Sequence, residues 1–486
     1  MQSNREADAT LGTAGLTEAV AHSGGLKAAI ILALVALGSV FALAMDPRFI
    51  YLTIYIWFGV IYGLLLQYGR FCMASAVRDL FSVGVARMAV GVMIAVVLFS
   101  LTAAMVTVAG VSTFYPNPLG WHVVIGGLIF GFGMVLAGGC ASGSLYKSGE
   151  GNVGSMIVVV AISLSQAVFV AAGGWFAKLV PASWTESAIA KDMPEELAVT
   201  ETWFDQFIAG YIWDLQATTV AQLLDTRNPY IEAFVGNALL GAILPAILIV
   251  VLLYTFFFRK GFLRREQLET PSLGDHMRGL WAMLTSSKNT ALAGLGLGVF
   301  AGLQMYVTGT LREKYQIFNF GELLADMGYK GGLSIQYTVF DPGYWYITTQ
   351  EAQWGGWFLN KLGADNMSNL FFGLDNGLPN PLLNAPGLMS VGIILGAAML
   401  ALLRHEFKWK WPSLETAVFA IIAGTLMGIG ARVGMGCNIG AFFAAVTNGD
   451  LTGWIFLLGM AGGAFVGVKL FTLWIEWRAS REVENF

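Results

Sequence analysis

Apolar positions along this chain come in long unbroken runs, at about 27–45, 49–69, 83–108, 120–138, 153–179, 232–257, 289–307, 386–403, 414–434 and 451–475. Coiled at the helical rise, a run near twenty residues crosses the ~30 Å hydrocarbon core of a bilayer. The pattern predicts an all-α polytopic membrane protein of about ten spans. Residues 1–26 read as a cytoplasmic leader. The first span ends in "FALAMD", whose Ala42-Leu43-Ala44 resembles a signal-peptidase site. Its apolar run is long for a signal peptide and acids precede it, so a retained helix is expected.

Lysine and arginine in the connections set the orientation. "RKGFLRRE" (259–266), "RHEFKWK" (404–410) and the tail "EWRASRE" belong on the cytoplasmic side, whereas 181–231 carries eight acids against two bases and faces outward. Alternation through the spans then puts both termini inside, with Arg78 and Arg87. The membrane halves are 27–257, with an external insertion at 181–231, and 258–486, with a second at 308–386 that is rich in Trp, Tyr, Asn and Gly. Both insertions exceed simple turns, which points to a lid or vestibule.

Composition agrees: 56% of the 486 residues are hydrophobic and 12% charged, and the net charge is −4. No basic tract or stacking aromatic pattern points to nucleic acid. His22, His122, His276 and His405 are scattered and read as surface or interfacial residues. Cys72, Cys140 and Cys437 form no C-x-x-C pair and no zinc-type spacing, which argues against a disulfide framework or structural metal. No cofactor is expected, and without a G-x-x-x-x-G-K-[ST] loop direct ATP drive is not expected either.

The cysteines share a frame. Nine residues before Cys140 and Cys437 stand Gly131 and Gly428, seven before stand Gly133 and Gly430, and three after stand Gly143 and Gly440. Cys72 follows with Gly63 nine before and Ser75 three after, and a fourth copy places Gly296 and Gly298 ahead of Met305 with Thr308 behind it. In the assigned topology the spans of Cys72 and Cys140 run inward and those of Met305 and Cys437 outward. Inverted repeats with interrupted helices are a transporter architecture. The small-residue stretches "MASAVRDLF", "ASGSLYKSG" and "NIGAFFAAVTN" are expected to open half-helices. Each cysteine would then sit at a helix N-terminus, where free N–H groups and the dipole favour an anion. The glycines nine and seven before the cysteines read first as close-packing faces between helices.

The stretches "YGRFCMASAVRD" (68–79), "FGFGMVLAGGCASGSLYKSGEGN" (130–152) and "GIGARVGMGCNIGAFFAAVTNGDLTGW" (428–454) resemble the YeeE/YedE sulfur-transport family of bacterial inner-membrane proteins, whose best understood members take up thiosulfate. The resemblance implies an inverted-repeat hourglass in which cysteines line a central constriction and touch the substrate sulfur. It assigns that role to Cys72, Cys140 and Cys437. Around them Met305, Gly139, Ser142, Gly436 and Asn438 are candidate substrate contacts, and Arg70 and Arg432 are flanking charges that either attract the anion or pair with acids such as Asp79. The family also implies a cytoplasmic sulfurtransferase or sulfur-carrier partner at the inward loops near Lys147 and Glu150. The two long insertions depart from compact members and leave selenium compounds or other sulfur species open as substrate.

Thiosulfate is a small dianion with a soft terminal sulfur, and burying it demands compensating dipoles. An ordinary thiol, pKa ~8.5, is mostly protonated near neutrality, so successive S–H groups would hold the anion loosely and let it leave. A membrane thiol–disulfide enzyme and a neutral-solute channel of hourglass type are the rival readings.

Overall fold

Within a bilayer every backbone polar group needs an internal partner, so long apolar runs fold as helices. The structure, a computed structural model, describes residues 3–172 except 113, 115, 118 and 120, then 219–224, 228–316, 328, 347–364, 381–383 and 385–484. Its principal helices are α1 (Ser3–Met45), α2 (Ile50–Gly69), α3 (Met73–Val83), α4 (Arg87–Val108), α5 (Trp121–Leu136), α6 (Ala141–Gly149), α7 (Val153–Ala171) and α8 (Ile231–Arg265). The second half continues with α9 (Leu273–Leu284), α10 (Lys288–Tyr315), α11 (Thr348–Lys361), α12 (Ala385–Leu403), α13 (Leu414–Val433), α14 (Asn438–Thr447) and α15 (Leu451–Glu484). The protein is an all-α polytopic membrane protein.

Among the described residues nine helical stretches are long and apolar enough to cross a membrane, against the ten expected. The difference is the run at 153–179: it is helical as α7, but its described apolar part, Val153–Phe169, is shorter, and positions from 173 lie outside the described residues. The run ending at 257 continues as helix to Arg265, so most of "RKGFLRRE" forms the last turns of α8 rather than a loop. Arg264 and Arg265 there face the negative end of the helix dipole. The insertion 181–231 lies mostly outside the described residues. Of 308–386, α11 is described, and it packs on α7. Ser163 Oγ donates to the Glu351 carbonyl, and Gln166 Nε2 donates to the Thr348 carbonyl at 2.8 Å.

Glycine rows decide which helices touch. Gly59 faces Met389 and Gly392 while Gly63 faces Ile393 and Ala397, so α2 and α12 run parallel. By the same test α4 is parallel to α10 (Gly298 on Ala95, Gly302 on Thr102), α5 to α15 (Gly127 on Phe456, Gly467 on Phe132) and α7 to α13 (Gly424 on Val158, Gly428 on Ile162). Two further packings are antiparallel: α2 on α10, with Gly69 facing Ala293 and Gly296 facing Leu65, and α5 on α13, with Gly126 facing Gly434 and Gly133 facing Met427. Lipid is as apolar as leucine, so this close backbone approach supplies the van der Waals contact that holds membrane helices together.

A side chain on these rows would collide with backbone, which cannot yield. A Cβ at Gly63 runs into the Ile393 carbonyl and stands 2.8 Å from Ala397 N; one at Gly131 runs into the Met460 carbonyl. Gly63→Val and Gly131→Val are therefore expected to cost about 3 kcal/mol each, read as a lowered melting temperature in detergent. Gly38→Ala, with nothing within 4 Å, leaves it unchanged.

Between spans α8 and α10, the helix α9 opens on a reciprocal cap. Ser272 Oγ accepts from Asp275 N and the Asp275 carboxylate accepts from Ser272 N at 2.8 Å, with Arg278 paired to the same carboxylate. Hydrogen bonds from Ser272 first, and then from Arg278, hold the Asp275 carboxyl down at about 2. A depressed carboxyl pKa contributes stability above the ordinary value of ~3.9 that is lost as pH falls toward 2. Amide exchange in α9 should therefore accelerate over that acid range in the native chain and show no such step in Asp275→Asn.

Candidate functional site

Three spans, α2, α5 and α13, end in a short turn followed at once by a new helix. Two residues before each cysteine the backbone turns left-handed, at Arg70 (φ 50°), Gly138 (φ 64°) and Met435 (φ 60°). Each cysteine is then extended, with φ −148° at Cys72, −81° at Cys140 and −86° at Cys437, and caps the N-terminus of α3, α6 and α14 respectively. The Gly143 N–H donates to Cys140 Sγ at 3.4 Å and the Ile439 N–H to Cys437 Sγ at 3.4 Å. Gly436 is required by the turn itself, since its φ is 149° and a Cβ there would lie 2.8 Å from Ala441 N.

The fourth copy of the frame differs. Met305 is buried in the uninterrupted helix α10, with no turn before it. Its glycines are engaged instead in packing, Gly298 and Gly302 against α4 and Gly296 against Leu65 of α2. The spacing of small residues is kept there without the break, because close packing alone accounts for it.

Cys72 and Cys140 meet: their sulfurs are 3.8 Å apart, and both side chains are buried. Gly143 permits this, since a Cβ there would stand 2.7 Å from Cys72 Sγ and 3.3 Å from Cys140 Sγ. Ser142 Oγ is 3.5 Å from Cys140 Sγ. Phe71 and Met73, on either side of Cys72, line one small apolar cavity together with Ser142 of α6, Ile439 and Phe443 of α14, and Ile347. All three cysteine motifs therefore reach a single cavity. Cys437 instead interacts with the Thr348 hydroxyl and lies within electrostatic reach of Glu351. Asn438 is wholly buried with neither amide atom hydrogen-bonded, and Ser144 Oγ is likewise unpartnered.

Arg70 bonds Glu150 Oε1 at 2.6 Å and Glu406 Oε2 at 2.7 Å, while Asp79 is taken by Arg78 at 2.8 Å. Arg70 thus pairs with acids, though not with the one the sequence offers first. The segments 147–153 and 406–410, expected on the cytoplasmic side by alternation and by charge respectively, are tied together by Lys410 N donating to Gly151 O (2.9 Å) and Val153 N to Lys410 O (3.1 Å). Arg432 is buried in the last turn of α13. The cation whose field reaches Cys72 is Lys147, whose Nζ donates to the Gly138 carbonyl at 2.6 Å; a Cβ on Gly139 would lie 3.5 Å from that Nζ. Lys147 had a sequence signal, a lone cation in the last turn of α6 and one helical face from Cys140. Thr348 and Glu351 had none. Among the described residues no group of three His, Cys, Asp or Glu side chains is placed to hold a metal ion.

Spans that break around buried thiols, with helix N-termini turned to a common cavity, define a membrane protein built to pass a solute rather than to anchor a soluble domain. The chain belongs to the sulphur transport family, whose model matches residues 68–466. It is 30% identical over 415 residues to the thiosulfate transporter TsuA of Spirochaeta thermophila, covering 82% of this chain and 94% of that protein. It is 24% identical over 409 residues to the thiosulfate transporter TsuA of Escherichia coli, covering 84% and 91%. A shorter match, 32% over 144 residues, is to the probable transporter YedE of Escherichia coli, 29% of this chain and 36% of that protein. These names are those of transporters and not of enzymes.

The sulfur geometry makes its own prediction. Mild oxidation of the purified protein should link Cys72 to Cys140 and leave Cys437 free on a non-reducing peptide map. Gly143→Ala, which wedges the two sulfurs apart, should lower that yield severalfold; a bridge to Cys437 in the native chain would contradict the arrangement.

Proposed function

We propose that this protein carries thiosulfate, or a closely related small sulfur-containing anion, across the bacterial inner membrane through a cysteine-lined constriction. The observation that carries the proposal is the contact of Cys72 with Cys140, each at a helix N-terminus, on a cavity shared with the Cys437 motif, in a chain of the sulphur transport family. N-terminal N–H groups supply fixed dipoles for an anion without a central cation that would hold it too tightly. Protonated thiols are weak donors, suited to passing a soft sulfur from one contact to the next.

Helix packing supports an inverted repeat. Exchanging α2 with α10, α4 with α12, α5 with α13 and α7 with α15 turns each parallel packing into another of the four and each antiparallel packing into itself. The substrate contacts in this reading are Cys72, Cys140, Ser142, Cys437 and Asn438, with Gly139 and Gly436 shaping the turns and Met305 packed behind them. Arg432 attracts from the flank, whereas Arg70, paired with Glu150 and Glu406, positions the turn before Cys72. Both termini lie in the cytoplasm, and the end bearing Lys147 and Glu150 is where a sulfurtransferase or sulfur carrier would collect the product.

Cys140→Ala or Cys437→Ala, in cells lacking other uptake routes, should abolish growth on thiosulfate as sole sulfur source at normal expression. Unchanged growth would discard the relay. A second reading, a thiol–disulfide enzyme, is favoured by the 3.8 Å contact itself. The two separate in liposomes: a transporter admits labelled thiosulfate, and not glycerol, with all three thiols alkylatable after turnover and denaturation, whereas the enzyme would accumulate a Cys72–Cys140 bridge.

A further inference from the structure

Glu351 stands in the first turn of α11 with no accessible surface, and neither carboxyl oxygen has a hydrogen-bond partner. Its backbone is held in place, the N–H donating to Ile347 O at 3.1 Å and the carbonyl accepting from Ser163 Oγ. Ile347 lines the cavity, and Thr348, on the same turn, sets its hydroxyl against Cys437. Among the described residues the elements packed against α11 offer nothing to neutralise a charge: α7, α12 and the turn Pro381–Leu383 contain no ionisable side chain, and besides Glu351 α11 itself carries only Lys361 in its last turn, exposed. Among the described residues the titratable group within electrostatic reach of Glu351 is Cys437. A bare carboxylate in such a place is strongly disfavoured, so the group takes up a proton. A buried O–H without an acceptor is costly too, and an arriving oxyanion is the acceptor this site lacks.

We propose that Glu351 stands protonated beside Cys437 and donates its O–H to an oxyanion oxygen of the passing substrate, as a specificity-determining residue of the pathway. The proposal rests on the transport reading above. The soft sulfur is met by thiols and the hard oxygens by the carboxylic acid and the unpartnered Asn438 amide, so the two ends of the anion are told apart. No proton leaves Glu351 in this role. Loss of the proton at high pH would place a negative charge in the anion's path and stop it.

The experiment is thiosulfate uptake into proteoliposomes against pH for the native protein, Glu351→Gln and Glu351→Leu. The native chain should lose uptake as pH rises. Glu351→Gln, which keeps a donor that cannot ionise, should retain uptake within about twofold and lose the alkaline fall; Glu351→Leu should raise KM about tenfold, the usual size of one lost hydrogen bond to a charged group, with little change in kcat. Infrared spectra give a second readout that does not need the variants to transport. The C=O stretch of a buried carboxylic acid should be present in the native protein, absent from Glu351→Gln, and displaced by added thiosulfate. A native KM and pH profile in Glu351→Leu, or an infrared band that thiosulfate leaves in place, overturns the donor role. A native protein that admits no thiosulfate overturns the transport reading instead.

Discussion

A helix broken inside a membrane leaves backbone N–H groups with no water to receive them, and the centre of this protein is organised around that deficit. At Cys140 and Cys437 the sulfur itself takes a helix N–H, and all three cysteines occupy the cap position. A sulfur is a weak acceptor, so the helix ends are only partly satisfied. Sites left in that condition bind anions readily.

Everything around the breaks keeps them in register. The glycine rows bring helix backbones close enough that the spans behave as rigid walls, and the Arg70–Glu150–Glu406 cluster fixes the turn before Cys72 to the connections after α6 and α12. Arg70 is also the residue forced left-handed, which an arginine adopts only when its surroundings hold it there. Its side chain therefore positions the Cys72 turn as much as it presents a charge.

The matched surroundings of the cysteines were legible because close packing and tight turns both require small residues, and these repeat at fixed offsets. Met305 marks where that logic fails, since packing alone produces the same glycine spacing without a break. The left-handed turn two residues before each cysteine has no common residue type, being Arg, Gly and Met, and so leaves no trace in sequence. Thr348 and Glu351 come from a segment read as an external insertion, with no motif to tie them to Cys437.

By itself the sequence determined the class of the fold, the nine apolar spans found among the described residues within its expected ten, and the three thiols that open helices, because bilayer thickness and backbone satisfaction act locally along the chain. Only the tertiary structure decided that Cys72 meets Cys140 while Cys437 faces Thr348, that Arg70 pairs with Glu150 and Glu406, and that Glu351 is buried without a partner. Those are contacts between residues tens to hundreds of positions apart, fixed by how the helices pack, and no local pattern encodes them.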